Sequence, residues 1–411
     1  MSQLGNTKCT LVSHSNYGDS GVVTVIEIDN LNVIVKERPS APSSNEKDLA
    51  RRTLFLGLND NGEALIYNPV TQKITVEGEC PADINPSYSY VDKKNNRIWF
   101  VNDGDKETGN DALNCPQGGA SVMVFSLDET PRLIKCICVG RGHHVVSYIA
   151  DQAFVSNLLD GTIMVLGNDE TDAESYLNVL DTINLLEPEK EKTGDVDIPN
   201  NAFPHGMVYS SKTKKLYNLN NGYGTIAVID PAKREIINRI PLSVSSNLLM
   251  SPDELFLIGK GADRKSNSEH VMGRLSVVDL QTEKVVTVLD VQDYYPSTYR
   301  FSLDGSKLYV TSAATGKGAQ RDNLAIDTVL VYDARALPKL KLINTLKVGL
   351  ADCGRRPIAF SNEYVFIPNP SDGTMSVLNS KSDDVFTTVK IGKPECKEVL
   401  FSFWQRSVSG S

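Results

Sequence analysis

The chain has no apolar run approaching the roughly 20 residues that a membrane-spanning helix needs, so no membrane association is expected. Its opening, MSQLGNTKCTLVSHSN, lacks the basic-then-apolar layout of a secretory leader. As it stands the sequence reads as soluble and cytoplasmic. A chain already relieved of an export signal would read the same and would be periplasmic or secreted. A dense basic stripe is also missing, and 42 Lys and Arg against 51 Asp and Glu leave a net charge of −9, so nucleic acid is not an expected partner. There is no GxSxG elbow, no P-loop and no HExxH, which removes motif support for the common nucleophile, nucleotide and zinc-protease readings. The seven cysteines include neither CxxC nor CxxCH; covalent haem is not expected, and the odd count favours a reducing compartment. Cys136 and Cys138, two apart in LIKCICVG, fall on one face of a strand and read as small buried hydrophobes. Histidine is scarce, with five in 411 residues, yet two of them are adjacent in GRGHH.

What the chain does have is a repeat. The stretch GRGHHVVSYIADQAFVSNLLDGT runs parallel to PHGMVYSSKTKKLYNLNNGYGTIAVIDPAKREIINRIPL. In both, a polar cap leads to an apolar run, a turn, a second run ending in Asn, and a Gly turn before a third run. The same order returns in PSYSYVDKKNNRIWFVND, NLLMSPDELFLIGKG, STYRFSLDGSKLYVTSA and RPIAFSNEYVFIPNPSDGTMSVLN. The runs are about five residues long, favour Val, Ile, Tyr and Phe, and are separated by Gly, Asn, Asp and Pro, so each module reads as four short strands. No long stretch has helical periodicity. Four-stranded modules of about 40 to 50 residues predict an all-β propeller, one blade per module around a central channel.

The termini carry the signal for closure. CTLVSHSNYGDSGVVTVIEIDNLNVIVKER, about residues 9–38, matches the last three strands of a module, and CKEVLFSFW, about 397–404, matches a lone first strand. A shared blade would close the ring as a single domain over 1–411 and remove its exposed edges. The count is eight blades if residues 40–76 form one whose first strand, around SSNEKDL, is poor, and seven if that segment is an insertion.

The second runs end IWFVND, AFVSN, LYNLN, LYVTS and VFIPN, a column that resembles the YVTN-type, WD40-like propeller repeat over most of the chain. Asn102, Asn157, Asn220 and Asn369 occupy the signature position; Ser312 departs from it. The GRGHH and FPHG caps are similar to those in the haem-binding propeller of the haem-type dissimilatory nitrite reductases, a family with eight blades. These resemblances imply a fold shared by lactonases, haem-binding domains and interaction scaffolds.

Superposing the modules on the aromatic or apolar residue that ends each first strand, the residue four places earlier is Pro86, His144, His205, Ser246, Ser297, Arg356 or Lys397. First strands line the channel, so this column should ring one mouth. His144 and His205 are expected face to face on adjacent blades, with His143 turned aside and Arg355 and Arg356 farther round. The long loops, NDGDKETGNDALNCPQGG, EPEKEKTGDVDIPNNAF, GKGADRKSNSEHVMG and TSAATGKGAQRDNLAID, fall at the same mouth. Their carboxylates, including Asp103, Asp105, Asp111, Asp195 and Asp197, lack the spacing of a calcium loop and read as solvated. The aromatic column Tyr90, Tyr148, Tyr209, Phe301, Phe360 and Phe401 reads as packing between blades.

Three functions follow. His144 and His205, supplemented by His143, His14 or His270, suit a transition metal or a haem iron, while Arg355, Arg356 and Lys397 suit a small-molecule anion, carboxylate, phosphate or haem propionate. A hydrolase similar to the propeller lactonases would use a histidine of this mouth as general base and an arginine to polarise the carbonyl. A scaffold would present the loop-rich face to another protein.

Overall fold

Short β-branched and aromatic runs form strands throughout the computed structural model, which describes residues 8–16, 21–27, 32–38, 54–58, 64–68, 73–77, 86–103, 120–127, 132–191, 199–314, 318–352, 356–394 and 398–406. The strands build antiparallel sheets, numbered here along the chain: the first over 8–38 together with 398–406, the second over 54–77, the third over 86–138, the fourth over 146–184, the fifth over 204–241, the sixth over 247–292, the seventh over 296–347 and the eighth over 359–390. Each is four-stranded except the second, which has three. The SSNEKDL stretch lies outside the described residues. The one α-helix among the described residues, Ala319–Asn323, is a single turn and a half in a loop of the seventh sheet. No described helix is long and apolar enough to cross a membrane. The fold is an all-β propeller.

Position within a sheet sets the polarity of each strand. Second strands such as Lys215–Asn220 and Lys307–Ser312 are buried from their second residue onward, because neighbouring sheets cover both faces and no polar face is needed. The fourth strand Lys284–Gln292 alternates between exposed and half-buried residues, as expected of an outer edge.

Apolar clusters join consecutive sheets. Trp99 of the third sheet packs with Val146 and Val155 of the fourth, and Tyr309 of the seventh packs with Ile367 of the eighth. Phe366 and Met375 of the eighth pack with Leu11 and Ile26 of the first. The described members of the aromatic column lie in these seams: Trp99 meets Tyr148 edge-on at 5.4 Å, and Tyr309 meets Phe360 at 5.4 Å. Each fully buried side chain of this size contributes on the order of 1.5–3 kcal/mol. The last strand, Glu398–Arg406, pairs along its length with Lys8–Asn16, placing Leu11 opposite Phe403. The hydroxyls of Ser15 and Thr24 donate to the Ile391 carbonyl at 3.2 and 3.0 Å, tying the first sheet to the eighth.

One cysteine departs from the reading of the sequence. Cys138 is disulfide-bonded rather than a buried thiol, with its partner outside the described side chains; Cys136 is half-buried beside the Phe100 and Phe125 cluster. Odd cysteine counts do not exclude a bridge, and spacing along one strand cannot reveal a partner on another segment.

Candidate functional site

The site grows from the cap GRGHH, which is clamped onto the turn after the second strand of its own sheet. The Arg141 backbone N–H donates to Asp160 Oδ2 at 2.9 Å and its Nε to Oδ1 at 2.8 Å, while the Leu158 and Leu159 amides donate to the carbonyls of His143 and Arg141. Gly142 takes φ +91°, the left-handed region that glycine tolerates, and a Cβ there would sit 2.8 Å from Leu159 Cγ. This clamp fixes the direction in which each histidine points.

The two histidines diverge. His144 is fully buried: its Nδ1 donates to the Ser156 carbonyl at 2.9 Å, and the Tyr90 hydroxyl donates to the His144 carbonyl at 3.2 Å. Burial lowers its pKa, against the Ser156 carbonyl and the Asp103 charge, so it is neutral near pH 7. His143 is 36% exposed in its side chain, and its Nδ1 lies 2.6 Å from Oδ2 of Asp103, itself only 6% exposed. Asp103 is therefore an enclosed partner of an imidazole, in contrast to the solvated loop expected of it.

His143, not His144, meets His205. Their rings stand edge to face at 88° with centroids 6.1 Å apart, and Tyr88 flanks His143 at 6.2 Å. This reverses the expected arrangement of the pair. His205 is half-buried, with Nδ1 donating to the Ser246 carbonyl of the sixth sheet at 2.6 Å. Burial lowers its pKa, and the neighbouring His143 and Lys260 charges act in the same direction, while the Ser246 carbonyl opposes them. Carbonyl and carboxylate oxygens only accept hydrogen bonds, so both rings carry a proton on Nδ1, and His205, with its lowered pKa, keeps a lone pair on Nε2 near neutral pH.

Lys260 was not singled out in the sequence. It stands where the fifth sheet carries Leu219, with Gly261 in the Asn position, since Met250 pairs with Leu257 as Tyr209 pairs with Leu216; a lysine in an otherwise buried run was the available signal. It is 9% exposed, its Nζ donates to the Pro296 carbonyl at 3.2 Å, and it lies 5.6 Å over the Tyr299 ring. The ammonium is thus held inside the protein within electrostatic reach of His205.

The remaining expected residues are placed elsewhere or not described. Arg356 is fully buried, its Nη2 donating to the carbonyls of Ile326 at 2.9 Å and Gly349 at 2.5 Å, and it does not open onto the histidine pair. His270 is bound through Nδ1 to Asp293 at 2.9 Å. Arg355, Lys397, Asp105, Asp111, Asp195 and Asp197 lie outside the described residues, and of His14 only the strand backbone is described. Among the described residues, no group of three or more His, Cys, Asp or Glu side chains is placed to hold a metal ion.

No model of a known protein family matches the chain, and no curated protein matches its sequence. Solved structures do share the fold. The dihydro-heme d1 dehydrogenase NirN, in complex with DHE, is similar with a TM-score of 0.62 and 14% identity, over 96% of this chain and 74% of that one. A putative 6-phosphogluconolactonase from Bacteroides fragilis is similar with a TM-score of 0.58 and 14% identity, over 98% and 100% of the two chains. The periplasmic gluconolactonase PpgL of Pseudomonas aeruginosa gives a TM-score of 0.56 at 15% identity, over 86% and 99%.

Proposed function

We propose that the chain is a ligand-binding propeller, one domain closed into eight blades, whose site is the His143 and His205 pair with Asp103 and Lys260. The observation that carries this reading is the pairing itself: two imidazoles in edge contact, each with Nδ1 tied to an oxygen acceptor. Such tethering of the second nitrogen orients an imidazole that ligates a metal and raises its donor strength. The described residues provide two imidazoles but no third donor, which suits a haem, needing only one or two axial ligands, better than a bare ion. Lys260 would offer its charge to an acidic group on the ligand. NirN, similar in fold, is described in complex with DHE, in keeping with this reading. The pairing of the first and last strands and the contact of the eighth sheet with the first support closure.

A second reading, a lactonase-like hydrolase, is favoured by the Asp103 and His143 couple, which has the geometry of a base and its orienting carboxylate. His143 Nε2 would take a proton from water as its oxygen attacks the lactone carbonyl, and the ring C–O bond would break with that proton returned to the leaving oxygen. Of the similar structures, one is described as a putative 6-phosphogluconolactonase and one as a gluconolactonase. The Cys138 disulfide and the periplasmic description of PpgL support a compartment outside the reducing cytoplasm.

The test is a titration of the purified protein with haem, followed in the visible, beside an assay of sugar-lactone hydrolysis. Saturable spectral change lost in both His205→Ala and His143→Ala supports the first reading. Lactone turnover lost in Asp103→Asn and His143→Ala, with no haem uptake, moves the assignment to the second. Neither activity in the intact protein sinks both.

A further inference from the structure

Arg356 is the largest buried charged side chain in the described protein, and no described carboxylate is paired with it. A guanidinium carries five N–H donors. Nη2 spends its two on the carbonyls of Ile326 and Gly349, both neutral acceptors. Nε and Nη1 are enclosed and have no hydrogen-bond partner. The acidic groups close enough to be felt are Asp327 and Asp372, together with the Tyr294 phenol, and each is committed elsewhere. Asp327 accepts from Lys347 Nζ at 2.7 and 2.9 Å. Asp372 accepts from the Leu350 amide at 2.7 Å. The Tyr294 hydroxyl donates to the carbonyls of Val310 and Thr328, and burial keeps this phenol neutral.

A cation so placed is among the costliest groups to bury, since no described carboxylate is paired with it to offset its desolvation. Burial lowers its pKa to about 10, which still leaves it charged at neutral pH. It also sits where the chain joins two sheets: Ile326 and Gly349 belong to the seventh sheet's loops, Arg356 leads into the eighth, and the Thr311 hydroxyl of the seventh donates to the Arg356 carbonyl at 3.0 Å. The first strand that follows, Ala359–Phe360, has only two residues, so little ladder pairing holds this end of the sheet.

We propose that Arg356 is a buried anion site, taking a small monovalent anion of the halide class on Nε and Nη1 and fastening the seventh sheet to the eighth. The anion supplies the missing opposite charge and accepts the donors that no described protein oxygen reaches. Occupancy stabilises the folded chain as a ligand does, and the effect saturates.

The experiment uses the intact chain with bromide as probe. Crystals grown in sodium bromide, measured at the bromine edge, should show an anomalous peak within hydrogen-bonding distance of Arg356 Nε and Nη1. In solution, replacing a bulky organic anion by chloride at constant ionic strength should raise Tm saturably by roughly 2–4 °C, and Arg356→Met should abolish the rise. Ordered water without an anomalous peak at that position overturns the proposal. So does a Tm rise that is linear in salt, or one that survives in Arg356→Met. Should Arg356→Met fail to fold, the bromide peak in the unaltered protein decides alone.

Discussion

Acidification from pH 7.5 to 5.5 should destabilise the protein through two histidines, His144 and His205, whose folded pKa values are lowered chiefly by burial. The unfolded chain protonates both near the ordinary imidazole value of about 6.5, whereas the folded chain resists. Between the folded and unfolded values the unfolded state holds more protons, so this stability is complete above about 6.5 and drains as the pH falls. At pH 5.5 each histidine favours unfolding by at most about 1.4 kcal/mol, and the two together by about 2.8 kcal/mol. That is a ceiling, reached if neither ring takes a proton in the fold. The neighbours of His144 are Asp103 and His143, and those of His205 are His143 and Lys260. Carboxylates do not blur the window: Asp263, Asp304 and Asp333 are held at about 2 by hydroxyl, backbone and Arg335 hydrogen bonds, and their contribution is lost only below about pH 4. Urea unfolding at half-unit pH steps gives the slope. His144→Gln and His205→Gln should each remove about half of the acid-side loss, and the double variant should flatten it. An unchanged slope in the double variant, or a protein that gains stability on acidification, would refute the reasoning and with it the view that both rings are neutral at pH 7.

Two further outcomes follow from the backbone. Removing residues 398–411 strips the first sheet of a strand paired at nine positions; at about 1 kcal/mol net per ladder hydrogen bond the loss, roughly 9 kcal/mol, rivals the whole stability of a typical domain. Far-UV circular dichroism of the truncated chain should show loss of cooperative folding, and a truncated chain melting like the full one would count against a shared blade. Gly161→Ala should cost about 2–4 kcal/mol, because φ is +67° and the new Cβ would fall 1.9 Å from Asn200 Oδ1, a side chain held by its bonds to Gly161, Asn184 and Ala202. Gly224→Ala, at φ +64° with nothing nearer than 3.7 Å, should cost only about 1 kcal/mol in the same chemical melt.

Much of the architecture was legible because a propeller blade repeats one physical problem. A second strand covered on both faces must be apolar throughout, as in KLYNLN and KLYVTS, while an outer strand such as KVVTVLDVQ must alternate. The Asn column was legible for a similar reason. Asn157 and Asn369 donate through Nδ2 to Thr162 and Thr374, at the turn each blade must make before its third strand. What could not be read were individual contacts whose spacing the repeat does not fix. The enclosure of Arg356 by the Ile326 and Gly349 carbonyls depends on how two loops of the seventh sheet meet the entry to the eighth, and the Cys138 disulfide on a partner that its own strand does not hold.

The exchange of His144 for His143 has a more specific cause. Counting back four residues from Tyr148 and from Tyr209 selects His144 and His205 as equivalent only if both first strands are regular. The fourth sheet is regular there: the Ser156 amide donates to the Val145 carbonyl and the Leu158 amide to that of His143, two residues on. The fifth sheet is not. Met207 lies opposite Asn218 and Pro204 opposite Asn220, so three steps on one strand match two on the other and an extra residue bulges between them. The same shift occurs between Pro86 and Tyr88 and between Pro296 and Tyr299. An inserted residue turns every side chain beyond it to the other face. Pro204, not His205, is therefore the counterpart of His144, and His205 emerges on the side that His143 already occupies. The adjacent histidines of GRGHH thus divide the work: the regular strand sends one into the seam between blades, and the neighbouring blade's bulge brings His205 to the other.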